Sequence, residues 1–376
     1  MGYLLISFGN GLPNRKRMKK LLTPYNGKKL QLKNHIVMAP MTRSRAIGNI
    51  PNALMARYYG QRAGAGLIIT EGTAPAPEAL GYARMPGIFS AEQLEGWREV
   101  TTAVHTNGSK IISQLMHAGR IGHVANLPQG ARLIGASALP AVGQMYTDAL
   151  GNQDYGIPEA LTLERLREVI ASYVAAAKNA IAAGFDGVEL HGANGYLIEQ
   201  FLNPNVNDRT DQYGGSIERR ARFAVEVVEA VSAAIGRDKV GIRLSPNSTL
   251  GDMQPYDAGT IQQTYTHLAR ELNRIGIAYI HLSVNPQASA DTLSAIRTEF
   301  KDTLIHCGNF TAERAEAGLQ KGDADLIAFG RSFLANPDFV DRVIAGASLN
   351  PVDYTTLYTL DERGYTDYPT MAYSHS

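Results

Sequence analysis

The stretch Ala183–Pro204, AGFDGVELHGANGYLIEQFLNP, carries the reading of the fold. Asp186–Leu190 (DGVEL) is a short apolar run of the kind that forms a buried strand. Gly184 just before it is a stop for a preceding helix, because a left-handed C′ position favours glycine. That helix is legible as a stripe: Leu163, Leu166, Val169, Ile170, Tyr173, Val174, Ala177 and Ile181 recur at helical spacing over Leu163–Ala183, and Thr162 is a plausible N-cap. After the strand comes a polar, glycine-rich end, His191-Gly192-Ala193-Asn194-Gly195-Tyr196. The order is therefore helix, buried strand, then a loop bearing chemistry.

Working outward, the same unit recurs. The other candidate strands are Ile36–Pro40, Leu67–Glu71, Lys110–Leu115, Val240–Leu244, Tyr279–Ser283, Leu304–Cys307 and Asp325–Phe329. They read as continuous apolar runs rather than as alternating ones, the pattern of parallel strands covered on both faces. Ser216 opens a helix to about Ile235 that Gly236 ends, and Asp257 or Thr260 opens another to about Ile275 that Gly276 ends. Strict strand–helix alternation implies a parallel sheet, doubly wound or closed, and eight units favour closure into an α/β (βα)8 TIM barrel. Tyr25-Asn26-Gly27-Lys28 carries an Asn-Gly hairpin signal ahead of the first strand, suited to capping the barrel bottom. The segment 120–159 is too long for a plain βα loop and is expected to be a lid or inserted hairpin over the face where the strands end.

The chain has 376 residues, a length that allows two or three domains at about 150 residues each. The barrel reading replaces these with a leader over 1–20 and one domain over 21–376. Met1–Phe8 is apolar and a basic run, Arg15–Lys20, follows it. A secretory signal has the opposite order and a small-residue cleavage site, so a disordered or extended leader and a cytoplasmic protein are expected, with Met18 an alternative start. Lys and Arg number 36 against 35 Asp and Glu, a net charge of +1 that argues against a nucleic-acid partner. The single cysteine, Cys307, excludes an intrachain disulfide and any cysteine-built zinc or iron–sulfur site. No apolar run reaches the ~18 residues of a membrane span.

In a barrel, catalytic groups gather where strands end. The ends here carry Pro40-Met41-Thr42-Arg43, Glu71-Gly72-Thr73, Gln114 through Arg120, the 191–196 segment, Arg243, Gly308-Asn309 and Gly330-Arg331. Glycines after strands seven and eight let backbone amides approach an anion, and Arg331 adds a bidentate phosphate partner; the alternative is that both glycines only make turns. His191 and Asn194, three residues apart, lie on one face if the chain turns helical there and then both donate to one oxygen. Tyr196 offers a phenolic proton, and the alternative is a satisfied core histidine with a packing aromatic. His117 and His123 have no nearby carboxylate to complete a metal site, so no metal is expected. Gly64-Ala65-Gly66 precedes a strand rather than following one, so it is no dinucleotide fingerprint, and no P-loop occurs.

These residues resemble the Old Yellow Enzyme family of FMN-dependent ene-reductases, from about Leu21 to Pro369, and within it the bacterial branch of pentaerythritol tetranitrate, N-ethylmaleimide and morphinone reductases. The carrying motifs are MAPMTRSRA at 38–46, YYGQRAGAGLIITEGT at 58–73, the opening stretch at 183–204, NDRTDQYGGSIERRARF at 207–223, AFGRSFLANPD at 328–338 and GYTDYP at 364–369. The resemblance implies a (βα)8 barrel with noncovalent FMN at the strand C-termini. By it, Pro40 and Met41 line the flavin ring, Thr42 bonds near a flavin carbonyl, Gly72 and Gln114 meet the pyrimidine side, and Arg243 faces the ring's anionic locus. Gly308, Asn309, Gly330 and Arg331 hold the phosphate, and Tyr358 approaches from the C-terminal segment. His191 and Asn194 bind the substrate oxygen, Tyr196 delivers the proton, and Tyr82 and Met116 complete the substrate pocket.

The implied activity is NADPH-driven, with NADH possible, and reduces electron-poor alkenes (enones, maleimides, nitroalkenes) by ping-pong chemistry in one site. Phenols are implied as inhibitors, and a monomer or homodimer is expected. The alternative is another FMN barrel of the dihydroorotate or hydroxy-acid type. Several positions depart from the family pattern. Asn194 stands where close bacterial relatives often have His, which bears on nitrate-ester activity. Met116 stands where many have Trp, which implies a roomier pocket. Arg219 replaces a common Asn without an evident consequence. Thr42, where another branch has Cys, places the chain outside that branch, and the lone Cys307 excludes the iron–sulfur relatives.

Overall fold

The computed structural model describes residues 18–371. Along the chain it contains β1 (Tyr25–Asn26), β2 (Gln31–Leu32), β3 (Ile36–Met38), α1 (Ala53–Gln61), β4 (Leu67–Thr73), α2 (Ala91–Thr106) and β5 (Lys110–Leu115). The insertion holds β6 (Ile134–Gly135), β7 (Gln144–Thr147), β8 (Gly151–Asp154) and β9 (Glu159–Ala160). Then follow α3 (Leu163–Ala182), β10 (Gly187–Gly192), α4 (Leu197–Leu202), α5 (Ile217–Ile235), β11 (Val240–Leu244), α6 (Ala258–Ile275) and β12 (Tyr279–Ser283). The chain closes with α7 (Ala290–Glu299), β13 (Thr303–Cys307), α8 (Ala312–Lys321), β14 (Leu326–Phe329), α9 (Arg331–Ala335) and α10 (Phe339–Ala345).

Eight parallel strands close a barrel in the order β3-β4-β5-β10-β11-β12-β13-β14, and β14 returns to β3 through Ala328 opposite Val37. This is the (βα)8 architecture expected from the alternation. The helix caps are those the sequence marks: Thr162, Ser216 and Asp257 each accept a backbone N–H three residues on, so Asp257 rather than Thr260 opens α6. Each such cap contributes about 1 kcal/mol.

Four local expectations are corrected. β3 stops at Met38, not Pro40, because proline has no N–H to continue the ladder. β10 runs on to Gly192, which sets His191 opposite Arg243 inside the sheet rather than past its end. The Asn-Gly pair does not form the hairpin turn: Asn26 pairs with Gln31, and the four residues 27–30 make the connection, closed by Gly27 N to Leu30 O at 2.9 Å. The hairpin nevertheless lies at the barrel bottom, with Tyr25 Oη 2.8 Å from Thr303 Oγ1 at the start of β13. Fourth, of the leader expected over 1–20, residues 1–17 lie outside the described residues, while Met18 is buried and the backbone amide of Lys20 donates to Glu316 on α8 at 3.0 Å.

The insertion after β5 pairs β7 with β8 as an antiparallel hairpin and β6 with β9 in parallel. Arg120 anchors it, donating to the carbonyls of Leu139, Pro140 and Asp252, while Asp252 Oδ2 accepts Val142 N at 2.9 Å. The inserted segment is thereby clipped to the loop that follows β11, over the face where the strands end.

Alternation along the strands divides the barrel interior into layers. The lower layers are apolar: Val37, Leu67, Ile69, Ile112, Tyr279, Ile305, Leu326 and Ala328 form one buried cluster. The Tyr279 ring fills the axis so closely that a Cβ at Gly241 would lie 2.2 Å from it, so only glycine fits there. Two residues up each strand, the same inward parity presents Gln114, Glu189, Arg243, His281 and Cys307. This polar layer is the floor of the site.

Candidate active site

The floor is a connected network. Gln114 Nε2 donates to Glu189 Oε1 at 2.8 Å, and His281 Nδ1 lies 2.9 Å from Glu189 Oε2. Arg243 Nη1 lies 3.3 Å from His281 Nε2, and Nη2 reaches Cys307 Sγ at 3.6 Å. Burial lowers the His281 pKa, but the Glu189 carboxylate outweighs burial and the Arg243 charge and holds it above the ordinary 6.5. Burial raises the Glu189 carboxyl, but His281 and Arg243 overcome it and hold the group below its ordinary value, so it is charged. A buried cation with a buried carboxylate nearby is what low dielectric demands. Arg243 Nε is buried without a partner, so the guanidinium keeps a donor to spare.

His191 sits beside Arg243 in register on β10 and is almost fully buried. Its ring nitrogen Nδ1 accepts the Ala193 N–H at 3.3 Å, which leaves the proton on Nε2 as a donor. Burial first, then the Arg243 and His281 charges, push its pKa well below the ordinary 6.5, so the imidazole is neutral. Asn194 does not share a helix face with it, because α4 begins only at Leu197. Instead Asn194 has φ 57° and Gly195 φ 86°, and this left-handed pair turns the chain sharply at the strand end. Asn194 Oδ1 is buried there with no partner.

The turn brings the Tyr196 ring to 4.6 Å from the His191 ring, edge to face at 82°. Tyr196 Oη lies 2.8 Å from Tyr82 Oη. Burial pushes the Tyr196 pKa up to about 12, with the Tyr82 hydrogen bond pulling the other way, so the phenol carries its proton at neutral pH. Met116, Tyr82 and Tyr196 belong to one apolar cluster. Met116 covers Gly72: a Cβ on Gly72 would lie 2.5 Å from Met116 Sδ.

At the other end of the face, Arg331 Nη2 donates to Asn309 Oδ1 at 2.5 Å, and both residues are exposed. Gly308 could carry no side chain, since its Cβ would stand 2.7 Å from Val284 O. Gly330 caps α9 without a side chain, and a Cβ there would meet nothing nearer than Met41 Sδ at 3.5 Å. Pro40, Met41 and Thr42 are half-buried between these ends.

The C-terminal segment is strapped over the rim by Arg43 and Arg45. Arg43 donates to Gly364 O at 2.5 Å, and Arg45 to the carbonyls of Leu357, Thr356 and Arg363. Tyr58 stacks on Tyr365 with centroids 3.9 Å apart. The strap delivers Tyr358, 59 % exposed, to the wall of a ≈ 580 Å³ cleft that Tyr82, Arg84, Tyr146 and Tyr155 also line. Two of the motif arginines are thus tethers.

These residues fit FMN. The unpartnered Arg243 Nε suits an anionic ring edge, and the side-chain-free cradle at Gly308 and Gly330 beside Arg331 suits a phosphate. Sequence reasoning missed Glu189 and His281, which pin Gln114 and Arg243, and Glu199 and Ser245 behind the 194–196 turn. The available signal was a charged residue inside a run read as buried on both faces, since a buried charge needs partners.

The comparisons agree with this geometry. Residues 20–350 match the model of the NADH:flavin oxidoreductase / NADH oxidase family. The chain is 39 % identical over 369 residues to 12-oxophytodienoate reductase 2 of Arabidopsis thaliana, covering 95 % of this chain and 97 % of the relative. It is 42 % identical over 349 residues to a probable flavin mononucleotide-dependent alkene reductase of Leishmania infantum, covering 90 % and 94 %. Among solved structures, morphinone reductase in complex with tetrahydroNAD superposes with a TM-score of 0.91 at 43 % identity, over 95 % of this chain and 99 % of that one. The chain therefore belongs to the NADH:flavin oxidoreductase family, the Old Yellow Enzyme family of FMN-dependent barrels.

Proposed function

We propose that the protein is an NAD(P)H-dependent ene-reductase that holds FMN on the Gln114–Arg243 floor and reduces alkenes activated by a carbonyl or nitro group. The observation that carries the reading is the cluster of neutral His191 Nε2–H, Asn194 and protonated Tyr196 at the end of β10, in a chain of this family. Bound FMN would supply the hydride chemistry that links the nicotinamide to the alkene. Pro40, Met41, Thr42, Gly72, Gln114 and Arg243 would hold its ring; Gly308, Asn309, Gly330 and Arg331 its phosphate; Tyr358 would close the edge.

The chain's own residues supply the rest. His191 and Asn194 donate to the substrate oxygen, which gains negative charge as the β-carbon is reduced, so their bonds strengthen in the transition state. Tyr196 gives its proton to the α-carbon, and Tyr82, hydrogen-bonded to it, provides a path for the proton to be replaced. The Arg243 cation, with its unpartnered Nε, would favour negative charge on the ring edge it faces. Phenols would bind at His191 and Asn194 as mimics of the enolate. No feature favours the dihydroorotate or hydroxy-acid alternative. Residues 21–376 are read as one domain, monomeric or homodimeric and cytoplasmic; among the described residues no helix is long and apolar enough to cross a membrane.

Anaerobic addition of NADPH to the yellow protein tests the reading. The visible flavin absorbance should bleach and return on adding 2-cyclohexenone; a protein that does not bleach, or does not recover with the enone, is not this enzyme.

A further inference from the structure

Behind the 194–196 turn lies a buried carboxylate to which the reaction gives no task. Glu199, on the first turn of α4, is almost fully buried. Its Oε2 accepts the Gly195 N–H at 2.7 Å, and its Oε1 accepts the Ser245 hydroxyl at 2.6 Å and the Tyr265 hydroxyl at 3.0 Å. Ser245 Oγ in turn accepts the Asn194 N–H at 2.8 Å. Ser245 has one proton and gives it to Glu199, so the direction of the relay is set. Both amides of the left-handed pair are thus held, one directly and one through Ser245.

The turn needs holding. A left-handed asparagine carries backbone strain. The backbone of Leu250 and Gly251 presses on Gly195 so closely that a Cβ there would lie 2.7 Å from Leu250 O. With its amides released, the turn would no longer fix the Asn194 side chain or hold Tyr196 against His191.

We propose that Glu199 is a positioning residue for ene-reduction, whose carboxylate, acting through Ser245, fixes the turn that presents Asn194 and Tyr196 to the substrate. The inference rests on the functional reading above. Three donors converge on this carboxylate, and one of them is an amide that cannot reverse. Protonation of Glu199 therefore breaks or reverses at least one of these three bonds, and weakens the carboxylate's hold on the Gly195 amide and on Ser245. The titratable groups facing it are Tyr265 on α6 and Tyr256 just before α6, both pushed up by burial and neutral near pH 7. Burial likewise pushes Glu199 up to about 7, against the Ser245, Gly195 and Tyr265 hydrogen bonds.

The test is reoxidation of the NADPH-reduced, FMN-loaded enzyme by 2-cyclohexenone across the neutral pH range. In the native enzyme the limiting rate should fall as pH drops through about 7. Glu199→Gln should lower the rate at alkaline pH about ten-fold and remove that limb. Ser245→Ala, which keeps the carboxylate, should lower it comparably, and the double variant should be no slower than either single one. Native rate and native pH limb in Glu199→Gln overturn the inference. If that variant does not fold, an unchanged rate in Ser245→Ala overturns it instead. A native enzyme that bleaches but is not reoxidised overturns the functional reading itself, and this inference falls with it.

Discussion

The hydroxyls of Tyr82 and Tyr196 lie 2.8 Å apart, joining the loop after β4 to the turn after β10. Tyr196 is half-buried, packs edge-on against His191 and holds its proton to about pH 12. Tyr196→Phe should slow enone reoxidation by about 10²-fold and leave flavin reduction by NADPH near native, because only the second half needs a proton on carbon. Stopped-flow measurement of each half-reaction checks this, and equal loss in both halves contradicts the proton-donor role. Tyr82→Phe should cost less, since Tyr196 keeps its own proton.

Cys307 faces the same floor. Burial raises its thiol, but the Arg243 guanidinium and His281 outweigh burial and bring it down to about 7 from an ordinary 9. In FMN-stripped protein, alkylation by iodoacetamide should rise with pH through a midpoint near 7. Arg243→Gln should move the midpoint toward 9, and added FMN should slow alkylation by covering the floor. A midpoint unaffected by Arg243 would show that the 3.6 Å contact does not govern the thiol.

Glu189 is the only carboxylate in the Gln114–Glu189–His281–Arg243 chain. Glu189→Ala removes the charge partner of buried groups and should destabilise the protein by about 3–5 kcal/mol. Urea unfolding with an unchanged slope reads this. The sign with pH follows from its depressed pKa: the stabilisation is present above the ordinary 4.5 and is lost as pH falls through the lower folded value. The variant should lack that part of the acid dependence.

Met116 closes over Gly72, with its sulfur 2.5 Å from where a Cβ would stand. Met116→Trp should raise KM for bulky enones about ten-fold and affect cyclohexenone less, because an indole takes space that a flexible thioether yields. A uniform change across substrate sizes would place Met116 outside the pocket.

Asp252 clips the insertion to the β11 loop through Val142 N and Arg120. Asp252→Ala should expose the 139–143 segment to limited proteolysis and raise KM with little change in the rate of flavin reduction. Proteolysis at the native rate would show that the clip does not hold the lid.

Much of the fold was legible in the chain. Apolar runs such as Tyr279–Ser283 and Val240–Leu244 were delimited to the residue, since a strand buried on both faces writes its length as hydrophobicity. Thr162, Ser216 and Gly276 marked helix ends through local chemistry, which needs no distant partner. The Asn26-Gly27 turn was misplaced because the register with Gln31 and Leu32 overrode a dipeptide preference. His191 and Asn194 were picked out, but the helix face expected for them does not form: β10 extends to Gly192 and Asn194 sits in a left-handed turn before α4.

What the sequence by itself determined is what depends on neighbours a few residues away: the strand–helix count, the caps, and the polar residues at each strand end. Only the tertiary structure decided which of those residues meet. Glu189, His281, Arg243 and Cys307 come from four strands, and barrel closure with one shared inward parity puts them in a single layer. Glu199 and Ser245 are 46 residues apart and share a proton only because β10 and β11 are neighbours. The physical reason is range. Helix caps and hydrophobic runs are set by local backbone geometry, whereas the pairing of buried charges is set by packing between strands remote in the chain.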